Sequence, residues 1–122
     1  MDKMVNLLVV GLGGAVGSML RYGMTLLFAF LNLSGNLATF SVNVIGSFLI
    51  GILTGVCREG TLLLLLTVGL CGGFTTFSTF SLQSVRLLQG GNLWEAALYI
   101  IGTLVVCIAA AWLGYLLGSI SD

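Results

Sequence analysis

The sequence predicts an all-α membrane protein of four transmembrane helices, the third of them broken, and three observations carry that prediction. Of its 122 residues, 58% are hydrophobic and only 7% charged, where soluble domains carry roughly 25%. Four Lys/Arg and four Asp/Glu cannot give a soluble domain of this size a polar surface. The apolar residues also divide into four runs, each long enough for a hydrocarbon core about 30 Å thick, which needs about 20 residues per helical crossing. Residues 1–122 therefore read as a single transmembrane domain with no separate soluble part.

The first run spans residues 4–31 and is interrupted only by Arg21. It is too long for a signal-peptide core, and no small-residue cleavage pattern ends it, so a retained helix is expected. Asn32, Ser34, Gly35 and Asn36 are turn-forming residues that precede the second run, 37–57. Arg58-Glu59-Gly60 closes it. The third run, 61–88, holds Cys71-Gly72-Gly73-Phe74-Thr75-Thr76 in its middle. Two adjacent glycines weaken any helix, so a break is expected near 71–76. Irregular backbone at membrane depth is tolerated only where protein buries it or where it lines a polar cavity. Gln89-Gly90-Gly91-Asn92 is the last loop, and 93–120 is the fourth run.

Proline is absent, so glycine must supply both the break and the close helix contacts. Gly13 with Gly17, Gly51 with Gly55, and Gly114 with Gly118 form three Gly-x-x-x-Gly faces, which let helix backbones approach closely. Contacts both between subunits and within one are expected from them, although glycine is also simply common in membrane helices. Lys3 and Arg58 on one side nearly balance Arg86 and Arg21 on the other. With so little positive-charge bias, insertion in both orientations is expected, and with it an antiparallel, dual-topology homodimer.

The chemistry available is narrow. Cys57, Cys71 and Cys107 are widely spaced and there is no His, which excludes most zinc, haem and iron–sulfur arrangements and leaves cysteine as a small apolar filler. Zero net charge favours neither nucleic acid nor an anionic surface. Asp2, Glu59, Glu95 and Asp122 all fall at predicted ends or loops, so no titratable acid sits at membrane depth to couple transport to protons. Passive conduction fits better than exchange. No nucleophile–base pair or metal cluster suggests an enzyme.

Polar residues within the runs recur at helical spacing. Thr39, Asn43 and Ser47 share one face of the second helix, and Tyr99, Thr103 and Cys107 share one of the fourth. Their donors could line a path for a small anion or could bond helix to helix. Arg21 is the one deeply placed charge, either an anion attractor or a snorkelling anchor. Phe77 and Phe80, three apart, face one way if helix resumes there, interleaved with hydroxyls that include Ser81. Their positive ring edges suit an anion, and packing is the ordinary alternative. Carbonyls freed near Gly72 and Thr75 suit an alkali cation.

The segments Gly13-Gly-Ala-Val-Gly-Ser-Met-Leu-Arg21-Tyr22, Asn43-Val-Ile-Gly-Ser-Phe-Leu-Ile-Gly51 and Gly69-Leu-Cys-Gly-Gly-Phe-Thr-Thr-Phe-Ser-Thr-Phe-Ser81 resemble the bacterial fluoride channels, the CrcB or Fluc family. The resemblance implies a multi-pass protein of the cell (inner or plasma) membrane, an antiparallel dual-topology homodimer with two narrow pores that releases fluoride down its gradient after entry as HF. It implies a structural sodium ion at the dimer centre on the backbone carbonyls of Gly72 and Thr75, an aromatic pair in Phe77 and Phe80, a pore amide in Asn43 and a vestibule arginine in Arg21. Tyr99, Thr103 and Cys107 would form the polar track of the fourth helix. Cys107 stands where a hydroxyl residue is more usual, and Gln83 where many members carry Glu. A small multidrug exporter, the alternative four-helix dual-topology reading, requires a mid-membrane Glu in the first helix that this chain lacks; a non-transporting assembly subunit leaves Thr39, Asn43 and Phe80 without a role.

Overall fold

The computed structural model describes residues 2–56 and 59–120; the sequence assignments made for Cys57, Arg58 and Asp122 lie outside them. All elements are helical. In chain order they are α1 (Asp2–Phe30), α2 (Gly35–Val56), α3 (Thr61–Leu64) running into a π-helical turn (Leu65–Cys71), α4 (Gly72–Phe74), α5 (Phe77–Gln89) and α6 (Leu93–Ile120). Four helical paths, Asp2–Phe30, Gly35–Val56, Thr61–Gln89 and Leu93–Ile120, are long and apolar enough to cross a membrane.

Local chemistry sets the turns. Asn32 ends α1 in the left-handed region (φ 60°), while the Leu33 amide donates to the Phe28 carbonyl at 2.8 Å, the helix-ending pattern that Asn tolerates and Gly favours. The Ser34 hydroxyl then accepts from the Leu37 amide at 3.1 Å and caps α2. The same solution recurs after α5, with Gly91 at φ 79° and the Asn92 amide donating to the Leu87 carbonyl.

In a bilayer, helix association relies on close packing rather than on expulsion of water, and here glycine provides it. A methyl group at Gly51 would strike the Ala111 carbonyl, one at Gly114 the Phe48 carbonyl, and one at Gly118 the Ile52 carbonyl. Contacts that keep the same offset along both chains mean that α2 and α6 run parallel, as two crossings separated by one antiparallel crossing must. On the other side, Gly13 abuts Leu65 and Gly69 of the π turn, Gly17 abuts Leu70 and Phe74, and Gly73 abuts Gly14. All three Gly-x-x-x-Gly faces are thus used within one chain, as expected of them.

The glycine pair at 72–73 also behaves differently from its composition. Gly72 is helical (φ −62°, ψ −38°), and the extended residues are the two that follow Phe74, namely Thr75 (φ −85°, ψ 160°) and Thr76 (φ −148°, ψ 118°). The missing side chain of Gly73 instead lets α1 pack at Gly14. Ala38, Val42 and Ala96, each at most 1% exposed, form the tightest part of the interior.

Replacing Gly51 by Ala should lower the thermal unfolding midpoint in detergent, at a cost of about 1–3 kcal/mol for overpacking a rigid contact. Gly23, whose added methyl would meet nothing within 4 Å, should tolerate Ala and gain up to about 1 kcal/mol from helix propensity. Equal midpoints for the two variants would contradict the packing described.

Candidate functional site

Thr75 and Thr76 have left the helix, so their peptide groups need partners that a helix would have supplied. Asn43, projecting from the middle of α2, meets both sides of Thr76: its Oδ1 accepts from the Thr76 amide at 2.7 Å, and its Nδ2 donates to the Thr76 carbonyl at 3.0 Å. A primary amide carries one donor and one acceptor side by side and matches a peptide group in this way. The Thr75 amide and hydroxyl both donate to the Cys71 carbonyl, at 3.1 and 3.0 Å. The Thr76 hydroxyl accepts from the Thr79 amide at 3.2 Å and starts α5. From α1, the Arg21 Nε donates to the Gly73 carbonyl at 3.1 Å, leaving the other guanidinium donors of this half-buried side chain. Among the described residues, no hydrogen bond reaches the carbonyls of Gly72 or Thr75.

Beside this segment lies a cavity of about 260 Å³ between α2, the π turn, α5 and α6. Asn43, Ser47, Thr103 and Cys107 line it, together with Phe77, Phe80, Gly72 and Thr75. Thr103 is 4% exposed, and its hydroxyl is the one buried side-chain polar atom without a hydrogen-bond partner among the described residues. A helical Thr usually returns such a hydroxyl to the carbonyl four residues earlier, as Thr67 does to Leu63 at 2.7 Å. That of Thr103 finds no such partner among the described residues, and Thr103 is one of the residues that line the cavity. No Asp, Glu, Lys or Arg lines the space, so its polar character is that of neutral O–H, N–H and S–H donors.

The aromatic side chains form a tilted series: Phe77 and Phe80 at 5.5 Å between ring centroids, Phe80 and Tyr99 at 5.3 Å. Phe80 is buried, whereas Phe77 is 71% exposed. The two polar stripes face each other, since Thr39 neighbours the Tyr99 hydroxyl and Ser47 neighbours the Cys107 thiol. Four of the residues singled out from the sequence stand outside the cavity lining: Thr39, Tyr99, Ser81 and Arg21. Ser81 returns its hydroxyl to the Phe77 carbonyl at 2.9 Å, and Tyr99 donates to Gln83 Oε1 at 2.6 Å. Sequence reasoning did not find this role for Gln83, nor Thr76 as the residue Asn43 holds, nor Cys71 as a cavity residue; helical spacing relates residues within one helix and says nothing of partners 33 or 36 positions away.

The family profile described as CrcB-like protein, Camphor Resistance (CrcB), matches residues 8–115. The chain belongs to this CrcB-like family. Proteins named fluoride-specific ion channel FluC are similar along nearly their whole length: that of Ruminiclostridium cellulolyticum is 44% identical over 96% of this chain and 95% of its own. That of Thermus thermophilus is 46% identical over 94% and 96%, and that of Chlorobaculum tepidum 43% identical over 96% and 97%. With four apolar spanning helices and this kinship, the CrcB-like chain is a multi-pass membrane protein, and the matched region contains the extended threonines and the whole cavity.

Asn43→Val should leave the Thr76 amide and carbonyl unpaired, each at a cost of about 1–3 kcal/mol. Faster hydrogen exchange at Thr76 and a lower unfolding midpoint are the expected readings; unchanged exchange at Thr76 would remove Asn43 from this role.

Proposed function

We propose that this protein is a passive, fluoride-selective channel that works as a homodimer and lets cytoplasmic fluoride leave the cell, lowering its toxicity. The observation that carries the reading is the unpartnered Thr103 hydroxyl beside a cavity whose lining brings together Asn43, Ser47, Thr103, Phe77 and Phe80. Fluoride is small and strongly hydrated, so a site that admits it must replace water with hydrogen-bond donors. Thr103, Ser47 and the second Nδ2 hydrogen of Asn43 are such donors, and the positive ring edges of Phe77 and Phe80 add to them. The names of the relatives point the same way. With no carboxylate lining the cavity, nothing on the path holds a proton to exchange, and flow follows the gradient.

In this reading Tyr99 and Thr39 continue the track at the Gln83 end, Ser81 flanks the phenylalanines, and Arg21 draws anions into the vestibule with its remaining donors. The interruption at Thr75–Thr76 lies at membrane depth, and the exposed Phe77 faces a second, antiparallel copy inserted in the opposite orientation. The carbonyls of Gly72 and Thr75 fit a hard alkali cation: they are oxygen donors without hydrogen-bond partners, and Gly72 is exposed. A structural sodium ion held there by both copies would neutralise four converging carbonyl dipoles and join the subunits.

Purified protein in liposomes should release fluoride rapidly while chloride stays, with voltage clamped by an ionophore. Absence of fluoride efflux from folded dimers would end the channel reading. Phe80→Ile should abolish the flux while the dimer elutes unchanged; Thr103→Val should reduce it by about tenfold or more, as expected when a buried hydrogen bond to an ion is lost, and Thr103→Ser should keep most of it.

A further inference from the structure

Among the described residues, none of α1 lines the cavity. Arg21, half-buried on α1, nevertheless reaches the backbone beside it: its Nε donates to the Gly73 carbonyl at 3.1 Å, across 52 positions of sequence. The helical run that begins at Thr61 ends at Phe74, and the last four carbonyls of a helix lack partners within it. Here the Cys71 carbonyl accepts from the Thr75 amide and hydroxyl, and the Gly73 carbonyl accepts from Arg21. A cation suits this place, because the carbonyl ends of the peptide dipoles collect at a helix C-terminus. Close packing fixes the approach, since a methyl group at Gly17 would strike the Leu70 carbonyl and one at Gly73 the Gly14 carbonyl. Beyond Thr75, Asn43 of α2 holds Thr76. Gly73 and Thr76 are thus tied to different helices, and Thr75 and Thr76 both line the cavity.

We propose that Arg21 is a positioning residue of the fluoride path: its Nε–Gly73 bond holds the end of α4 against α1, and this bond, rather than the positive charge, sets the maximal rate at which ions pass. The proposal rests on the channel reading. The charge, carried with the four remaining N–H groups, governs how readily an anion enters, and so acts on the concentration dependence instead. Side-chain length separates the two roles. Counted in bonds from Cα, glutamine has an amide nitrogen where arginine has Nε, giving a donor without charge. Lysine has a methylene there, with its ammonium one bond further on, and methionine has a methyl with neither donor nor charge.

The experiment uses the full chain in liposomes and measures fluoride efflux over a range of fluoride concentrations, with hydrogen exchange at the Thr75 amide read on the same variants. Arg21→Gln should raise the half-saturating fluoride concentration while passing ions at a high maximal rate. Arg21→Lys and Arg21→Met should fall below Arg21→Gln in maximal efflux by about tenfold or more, and exchange Thr75 faster by a similar factor, as expected for a lost hydrogen bond to a charged group. If the lysine variant fails to fold, the glutamine and methionine variants decide the matter, because at this position they differ in the donor alone. Equal maximal efflux in those two variants, or a lysine variant with wild-type efflux and exchange, overturns the proposal. Thr75 exchange that depends on the donor in a protein without fluoride flux would fail the channel reading and leave only the hold on the backbone standing.

Discussion

The pair of hydrogen bonds between the Asn43 side-chain amide and the backbone N–H and C=O of Thr76 is the constraint on which the rest of the site depends. Two extended residues within an otherwise helical path expose peptide groups that water cannot reach in a bilayer, and such groups are costly when unpaired. One amide answers both sides of Thr76. Because Thr76 is held, its hydroxyl can start α5 three residues before Thr79, and the start of α5 sets where Phe77 and Phe80 stand. The same departure from helix leaves the Gly72 and Thr75 carbonyls without partners. Of the two roles the sequence left open for this asparagine, ion donor or bond between helices, the structure shows the second, with a single N–H to spare.

Close glycine packing sets the second requirement, the separation of the helices. Backbone contact between α2 and α6 at Gly51, Gly114 and Gly118 draws the polar stripes of both helices onto one line. Larger side chains there would part the stripes and open the cavity to lipid. Glycine weakens a helix in water by about 1 kcal/mol relative to alanine, but van der Waals contact is what holds helices together in a bilayer, and the smallest residue allows the most of it.

These two constraints explain why the cavity is small and uncharged, with a few neutral donors set in a mostly apolar lining. Ala38, Val42, Phe80 and Ala96 are the buried apolar interior, and hydroxyls are returned to their own helix, as in Ser84 to the Phe80 carbonyl at 2.8 Å. Thr103 differs only because the carbonyl it would normally reach is passed over. Its hydroxyl is the one buried side-chain oxygen among the described residues without a partner, and the proposed role for Thr103 rests on it.

The sequence by itself determined the four spans, their turns at Asn32 and Gly91, the polar stripe of each helix and the family, because hydropathy, turn chemistry and helical periodicity act over a few neighbouring residues. The long, specific stretch from Gly69 to Ser81 made the kinship legible without any structure. Only the tertiary structure decided which residues are extended, since the glycine pair stays helical with Gly73 packed on Gly14 of α1, and Thr76 could leave the helix once Asn43 held it. It likewise decided that Gln83 bonds Tyr99, that the glycine faces are used within one chain, and that Cys71 and Cys107 share a cavity. Each of these depends on contacts between residues far apart in sequence, where the periodicity of one helix carries no information about its neighbour.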